Sequence, residues 1–295
     1  MVVVTINCSQ RSSPGSASDT ERAAATKSPD QPTQNKAKTK ASDKVLLVAQ
    51  STFARSEKGR YTQPDAARLY ILSHDGSGWH REEIRDDESN VFHKGMVIDD
   101  GSGAAIVTIG GAKAALKFWH RGEGDGDWEA KTIWQPAFGG DHDRLRDMEV
   151  ADVTGDGRDE IVLATHDQGV VAVVKRTDSG WEPTEIDRTK NTFVHEIEIG
   201  DVDGDGTKDI FATPSQPNRG RGGPQPGKVT RYHWTGERFE SEVVAEWAHR
   251  HAKEILVTDL DGNNRPELYV ALEGETEASE GRIGGRLVHP VSYTH

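Results

Sequence analysis

Three short acidic segments with the same spacing are the part of this sequence best suited to binding chemistry. They span residues 152–160, 201–209 and 259–267, and the first reads Asp-Val-Thr-Gly-Asp-Gly-Arg-Asp-Glu. Each has oxygen-bearing side chains at positions 1, 3, 5 and 9 and a glycine at position 4. Oxygen donors at alternate positions of a tight turn suit a hard cation, above all Ca²⁺, and glycine permits the backbone angles of a sharp turn. We therefore predict one calcium site in each segment.

The predicted ligands are the side chains at positions 1, 3, 5 and 9 and the backbone carbonyl at position 7. They are Asp152, Thr154, Asp156, Arg158, Glu160, Asp201, Asp203, Asp205, Thr207, Asp209, Asp259, Asp261, Asn263, Arg265 and Glu267. Thr154 and Asn263 supply oxygen with less charge than an acid, so the 201–209 segment is expected to bind calcium most tightly. The alternative interpretation is an acidic hairpin turn without metal, because Asp and Gly are common turn residues.

Short runs of β-branched and apolar residues flank each acidic segment. Met148-Glu-Val-Ala precedes the first segment and Ile161-Val-Leu-Ala follows it, and the other two segments have similar flanks. Such runs predict a strand on either side of the loop. The EF-hand, by contrast, places its loop between two helices and ends it with a glutamate at position 12. A fourth segment, 99–105, is shorter and poor in ligands, and we expect no calcium there.

A larger repeat surrounds these loops. After each loop come a strand, a polar turn and an aromatic residue that opens another strand. The aromatic residues, which we expect to pack between neighbouring repeats, are Trp79, Trp128, Trp181 and Phe239. Their separations are 49, 53 and 58 residues (128−79, 181−128 and 239−181). A four-stranded unit of this period is typical of a β-propeller blade, whereas a β-solenoid has shorter repeats without the internal hairpin. The predicted fold class is all-β, a propeller of four-stranded blades.

About five units are visible, and the two end units are incomplete. The first has predicted strands at 45–49, 68–72 and 79–84 but no innermost strand. The last has predicted strands at 255–258, 268–271 and 286–288 but no outermost strand. We therefore expect the chain to be part of a larger propeller.

One acidic run carries a resemblance to a known family. Asp201-Val-Asp-Gly-Asp-Gly-Thr-Lys-Asp-Ile210 resembles the signature of FG-GAP/VCBS repeats in integrin-α-like β-propellers, and Phe138-Gly139 is similar to the Phe-Gly of that family. The resemblance covers about residues 44–289. It implies a propeller with calcium in the loops between the first and second strands of each blade. Because the family includes adhesion proteins, lectin-like modules and carbohydrate-active enzymes, it indicates the fold better than the function.

Charged residues recur at equivalent positions before the innermost strands, on the face of a propeller opposite the calcium loops. His93, Arg146, His195 and Lys253 occupy these positions, and Glu196 is one of the acids beside them. One interpretation is that these residues form ion pairs that join the blades, which the repetition favours. A second is a pocket for an unknown protein or glycan ligand. A third makes His195, Glu196, Arg146 and His93 catalytic residues of a polysaccharide lyase or sugar dehydratase, since imidazole and carboxylate groups transfer protons.

Composition narrows the function classes. The formal net charge is −13, which argues against nucleic-acid binding because that needs a basic footprint. No apolar run is long enough to span a membrane. We expect a non-enzymatic binding or interaction scaffold, with a carbohydrate-active enzyme as the alternative.

The two ends differ in character from the rest of the chain. Residues 1–43 are rich in Ser, Ala, Thr, Pro and Lys and predict a disordered tail or linker. Cys8, the only cysteine, follows a short apolar run, as does the lipidated cysteine of a bacterial lipoprotein; the alternative is an ordinary free thiol. The repeat domain is expected at 44–289, with 290–295 as a tail of non-native origin. Together these features predict an extracellular, periplasmic or cell-surface protein.

Overall fold

A computed structural model describes residues 45–50, 53–55, 61–124, 126–139, 143–166, 168–216, 226–273, 275–277, 281–283 and 286–288. The predicted tail at 1–43, with Cys8, and the predicted tail at 290–295 lie outside these residues. The described residues contain β-strands and no helix, which confirms the all-β prediction. No membrane-crossing helix is therefore found among them.

The strands follow one another closely along the chain. In order they are β1 (Val45–Gln50), β2 (Phe53–Arg55), β3 (Tyr61–Pro64), β4 (Ala67–His74), β5 (Trp79–Asp86), β6 (Phe92–Asp99), β7 (Ala104–Gly110), β8 (Leu116–Arg121), β9 (Trp128–Trp134), β10 (Arg144–Ala151), β11 (Glu160–His166), β12 (Val170–Thr177), β13 (Gly180–Arg188), β14 (Phe193–Gly200), β15 (Asp209–Ser215), β16 (Gly227–Trp234), β17 (Phe239–Trp247), β18 (Ala252–Thr258), β19 (Glu267–Leu272), β20 (Glu275–Glu277), β21 (Gly281–Ile283) and β22 (Arg286–Val288).

Five antiparallel sheets succeed one another in chain order. The three middle sheets each have four strands in sequential order, β6 to β9, β10 to β13 and β14 to β17. The end sheets have three strands each, β1-β4-β5 and β18-β19-β22. The first strands of neighbouring sheets, β6, β10, β14 and β18, contact one another in that order. Consecutive four-stranded meanders with their first strands side by side are the arrangement of propeller blades, as predicted.

The end sheets confirm the predicted strand positions. The strands expected at 45–49, 68–72 and 79–84 correspond to β1, β4 and β5. Those expected at 255–258, 268–271 and 286–288 correspond to β18, β19 and β22. The connection between the first two strands of the first sheet contains a short hairpin, β2–β3, and the connection between the last two strands of the last sheet contains another, β20–β21.

Each hydrophobic core lies between two neighbouring sheets. Strand β11 shows how one strand serves two cores: Ile161 and Leu163 pack with residues of the preceding sheet, and Val162 and Ala164 pack with residues of the following sheet. Successive side chains of a strand point to opposite faces, so both faces of this strand are buried. This double burial explains why the strand after each acidic loop contains an unbroken run of apolar residues.

The repeated aromatic residues pack against the preceding sheet, with one exception. Trp181 packs edge-on against Phe118 of the preceding sheet, with ring centroids 5.1 Å apart. Trp128 and Phe239 also pack against cores shared with their preceding sheets. The prediction that Trp79 packs between repeats is wrong, because its side chain is 67% exposed and contacts His74 of its own sheet. Trp79 lies in the first of the five sheets, so no preceding sheet is described beside it.

Candidate metal loops and the bulge cluster

Each acidic loop connects the first strand of a sheet to the second. The aspartate at position 1 holds the turn closed by accepting two backbone hydrogen bonds. In the first loop, the amides of Gly155 and Gly157 donate to the two carboxylate oxygens of Asp152, over 2.7 and 2.9 Å. Asp201 and Asp259 accept the same pair of bonds in the other two loops. The three loops therefore share one backbone conformation.

That conformation explains the residues at positions 4 and 6. Both positions have positive φ in all three loops, between 65° and 90°. Glycine adopts these angles without steric cost, and asparagine tolerates them better than most residues. Five of the six positions are accordingly glycine, and the sixth is Asn264, with a φ of 65°. The two left-handed residues turn the chain so that odd-numbered side chains converge.

Three acidic side chains meet in each loop. Within each group, one oxygen from every carboxylate lies within 4.8 Å of the others. The groups are Asp152, Asp156 and Glu160; Asp201, Asp203 and Asp205; and Asp259, Asp261 and Glu267. Nine of the predicted ligands are thus brought together as the spacing predicted. Hard oxygen donors of this kind fit Ca²⁺ or Mg²⁺ better than a soft transition metal.

Other predicted ligands have partners within the loops. The hydroxyl of Thr154 donates to Glu160 over 2.9 Å. At position 7 the backbone amide donates to the side chain at position 5, as in the bond from Arg158 to Asp156 of 2.9 Å. Thr207 and Arg265 donate in the same way to Asp205 and Asn263. These bonds hold the position-5 oxygens in place.

Position 9 differs between the loops. Glu160 is 2% exposed and faces the other carboxylates of its loop. Asp209, at the same position of the middle loop, is fully buried and instead pairs with Arg231 and His233 of strand β16. Arg231 also contacts Asp203. The middle loop therefore holds a positive charge supplied by the protein itself.

The position-1 carboxylates of the first and third loops are held in their charged form. Burial opposes the charge of Asp152, but the hydrogen bonds from the Gly157 and Gly155 amides outweigh it and lower the pKa of this carboxyl. The pKa of Asp259 is lowered by amides of its own loop in the same way, again against burial. Burial raises the pKa of Glu160 at position 9. A cation between these groups would favour the charged form of all of them.

The loop before strand β7 has a different arrangement. Asp100 accepts hydrogen bonds from the amide and hydroxyl of Ser102 and lies 2.8 Å from Nε2 of His120. The side-chain partner of the Asp100 carboxylate on a neighbouring strand is therefore a histidine of the third strand of its sheet.

The match to a known family covers two of the loops. A family model described as an FG-GAP-like repeat matches residues 152–212. This part of the chain is similar to an FG-GAP-like repeat. The match begins at the first residue of one acidic loop, continues through the remaining strands of the same sheet and ends in β15, just after the next loop. It confirms the predicted FG-GAP resemblance, while the integrin-α-like detail remains a prediction. No curated protein matches the chain.

The second group of predicted site residues lies at the opposite end of the same first strands. Each of these strands, in the FG-GAP-like repeat and beside it, has a β-bulge where it begins. The register shifts between Phe92 and Lys94, Leu145 and Asp147, Val194 and Ile197, and Ala252 and Glu254. The bulged positions hold the predicted candidates His93, Arg146, His195 and Lys253, which we call the bulge cluster, and Glu196 shares the third bulge. Bulges commonly redirect side chains near functional sites.

Asp147 links three neighbouring sheets beside the bulge cluster. One of its oxygens accepts a hydrogen bond of 3.1 Å from Lys94, and the other accepts one of 2.8 Å from the backbone amide of Ile197. Lys94 also contacts Glu149. These contacts include ion pairs between neighbouring blades, as the first interpretation expected. They are formed by Lys94 with Asp147 and Glu149, and not by the four bulged residues.

The bulge cluster contains imidazoles that the sequence did not assign to it. His195 lies against His251, with ring centroids 4.5 Å apart, and 5.8 Å from His166. Nε2 of His251 is 3.1 Å from the hydroxyl of Ser215. His166 and Ser215 end the second strands of their sheets, and antiparallel pairing brings such ends beside the start of the first strands. The expected antiparallel register was therefore the feature of the sequence that could have placed His166 and Ser215 near the bulge cluster.

Burial and nearby charges shift the protonation of these groups. Burial and then the charge of Arg146 lower the pKa of His93 to about 3. Burial, His251 and Arg146 lower the pKa of His195 to about 2. Burial, Asp147 and Glu254 raise the pKa of Glu196 to about 9. At neutral pH the cluster therefore presents neutral imidazoles, a protonated carboxyl group and charged Arg146.

Proposed function

We propose that this chain is a calcium-binding β-propeller of the cell surface or extracellular space, which serves as an interaction scaffold. The FG-GAP-like repeat and the succession of blade-like sheets support the scaffold role. The bound calcium, the cellular location and the existence of a ligand are proposed in addition to this fold and family resemblance.

One observation carries the calcium proposal: three loops at the same place in three consecutive sheets each gather three carboxylate groups. Carboxylates this close repel one another, and a divalent cation bound between them would remove the repulsion. Asp152, Asp156 and Glu160 would hold the ion in the first loop. Calcium is favoured over magnesium because it accepts irregular sets of oxygen ligands, whereas magnesium requires an octahedron and usually retains water.

Calcium bound at these positions would stabilise the blades. Each loop joins two strands, so an ion there fixes the strands relative to each other and binds the folded chain only. Saturation at 100 times Kd would then stabilise the fold by about 2.7 kcal/mol per site. Sites outside the cell need Kd values of only about 10⁻⁴–10⁻³ M, because calcium is plentiful there.

Thermal unfolding tests this proposal. The full chain is stripped with a chelator, dialysed and melted with no added metal, with about 10 mM Ca²⁺ (roughly ten times the upper end of such Kd values) and with the same concentration of Mg²⁺. We expect the Tm to rise with Ca²⁺ and to rise less with Mg²⁺. Equal melting temperatures under all three conditions would contradict calcium binding.

Location requires a separate test. Cell fractionation with an antibody against the chain should find it in the surface, periplasmic or secreted fraction. Mass spectrometry of the same sample would reveal whether Cys8 carries a lipid. Recovery of the protein in the cytosolic fraction alone would contradict the proposed location and leave the calcium test unaffected.

A further inference from the structure

The bulge cluster gathers positive charge in a strongly acidic protein. The chain has a formal net charge of −13. Yet the charged groups that act on His93 and His195 are cations, including Arg146, Arg144 and Lys253. Lys253 is balanced by an ion pair of 2.9 Å with Glu273. The remaining positive charge centres on Arg146.

The hydrogen-bond partner of Arg146 is a histidine and not a carboxylate. Its guanidinium donates to Nδ1 of His93 over 3.2 Å, and among the described residues no carboxylate forms an ion pair with it. By contrast, Arg121, Arg188 and Arg231 each pair with a carboxylate. Because an arginine is always charged, Nδ1 of His93 must be the acceptor, which leaves the proton of this neutral imidazole on Nε2.

His195 provides a second available polar atom. The residue is 9% exposed, and its Nδ1 is buried without a hydrogen-bond partner among the described residues. Buried polar atoms are rarely left without a partner, so this nitrogen calls for one that the described residues do not supply. His251 closes one side of the ring, and Arg146 is among the charged groups that act on it.

Neither acid beside Arg146 pairs directly with its guanidinium. Both oxygens of Asp147 already accept hydrogen bonds, from Lys94 and from the amide of Ile197. Glu196 keeps its proton at neutral pH, since burial, Asp147 and Glu254 raise its pKa to about 9. A protonated carboxyl group adds a donor and no negative charge. Among the described residues, Arg146 therefore keeps guanidinium donors that no carboxylate uses.

We propose that the bulge cluster binds an oxyanion, the carboxylate or phosphate group of a small ligand, with Arg146 supplying the charge and His93 and His195 supplying hydrogen bonds. The inference rests on the proposed scaffold function and names the chemistry that its ligand must have. Guanidinium groups suit such ligands because their planar donors match two oxygens at once. The bulges supply the geometry, because each turns one side chain from the strand towards this end of the blades.

Calorimetry with two simple probes tests the site and separates the two sources of the oxyanion. Inorganic phosphate and galacturonate are titrated into the full chain at pH 7, with galactose as the neutral counterpart of galacturonate. We expect at least one anion to bind and galactose not to bind. Binding of phosphate alone assigns a phosphorylated ligand, and binding of galacturonate alone assigns a carboxylated one. Binding of neither anion, or equal binding of galactose, overturns the proposal.

Variants locate the binding. Arg146→Gln should lower the affinity for the anion about tenfold or more, since hydrogen bonds to a charged group contribute about 1.5–3 kcal/mol. His195→Asn is a second, milder change with a smaller expected loss. Arg238→Gln, at an exposed ion pair with Glu240 on an outer hairpin, is the matched control and should bind as the wild type does. Unchanged binding by both Arg146→Gln and His195→Asn, with circular dichroism showing them folded, would also overturn the proposal.

The same titrations distinguish this site from the calcium loops. They are repeated after chelator treatment, which removes metal from the loops at the other end of the first strands. We expect the anion affinity to be the same with and without chelator. Anion binding that fails while calcium still raises the Tm rejects only this inference, and the reverse result rejects only the calcium proposal.

Discussion

Nε of Arg231 donates to Oδ2 of Asp209 over 2.7 Å, and the same guanidinium contacts Asp203 in the same acidic loop. The loop with the most aspartates thus has a resident cation attached to the neighbouring strand β16. A metal ion in this loop would compete with the guanidinium for Asp203. The expectation that this loop binds calcium most tightly remains a prediction, and Arg231 is the residue that tests it.

Arg231→Met is predicted to lower stability in the absence of calcium. Asp209 is fully buried, so the change leaves a buried carboxylate with His233 as its remaining partner. Breaking one side of a buried pair typically costs about 3–5 kcal/mol. Urea unfolding in chelator measures the loss. Calcium should restore part of it and bind this variant more tightly than wild type. Arg238→Met, at an exposed pair, is the control and should have little effect; an equal loss in both variants would contradict the role of Arg231.

Asp156→Asn is predicted to weaken one calcium site with little effect on the fold. Asp156 is an exposed position-5 residue whose side chain accepts a bond from the Arg158 amide, which an asparagine oxygen can also accept. The change removes one negative charge from the ligand set. Calcium titration should show one site weakened about tenfold, roughly the effect of a charged hydrogen bond. Asp178→Asn, an exposed turn residue away from the loops, should leave all sites unchanged.

Lys117→Met is predicted to destabilise the junction between the first two sheets. The Lys117 side chain is 5% exposed and pairs with Asp86, which is 4% exposed, over 2.9 Å. Without the ammonium group, Asp86 would be a buried charge with no cation beside it, which costs about 3–5 kcal/mol. Urea unfolding measures the loss, with Lys131→Met at an exposed position of β9 as the control. A loss below about 1 kcal/mol, the value of a surface pair, would show that Asp86 is not held by this contact.

Glu196 is predicted to make the fold less stable at alkaline pH. Burial, Asp147 and Glu254 raise its pKa to about 9, and the opposing charges of Lys94 and Arg146 do not prevent this. Its ordinary pKa is 4.5. Between these values the folded chain holds a proton that the unfolded chain has lost. This contribution to stability is therefore complete below pH 4.5 and disappears as the pH rises through about 9.

Glu196→Gln tests that pH dependence, because glutamine stays neutral at every pH. Relative to wild type, its Tm should be similar at pH 5 and higher at pH 8.5 (between the ordinary pKa and the raised pKa of about 9). The loss of stability at acidic pH should be the same in the variant and in wild type. It comes from His93 and His195, whose lowered pKa values reduce the stability of the fold as the pH falls below about 6.5. A constant difference in Tm between variant and wild type across this range would contradict the raised pKa.

Local features of the fold were predictable from the sequence because their causes are local. The left-handed turns of the acidic loops require glycine or asparagine at fixed positions, as at Gly155 and Asn264, so the sequence records them directly. The strands after the loops, such as β11, are buried on both faces and contain an unbroken apolar run, here at residues 161–164. Period and turn chemistry were therefore sufficient to place the strands of both end sheets.

Contacts between distant strands were not predictable in the same way. Arg231 contacts Asp203 although the two residues are 28 positions apart in the sequence, and the spacing of the loop does not indicate this partner. The place of His166 beside His195 depends on the packing of two sheets, which its position in the sequence does not show. The bulges at His93, Arg146, His195 and Lys253 also depend on strand register, although the equivalence of these four positions was visible in the sequence.

Calorimetric titration of the chelator-treated full chain with Ca²⁺ is the most direct test of the central claim. The account predicts measurable heat and binding at each of the three loops that gather carboxylates, with the Asp156→Asn variant weakened at one of them. A flat titration, together with a Tm that calcium does not raise, would contradict it.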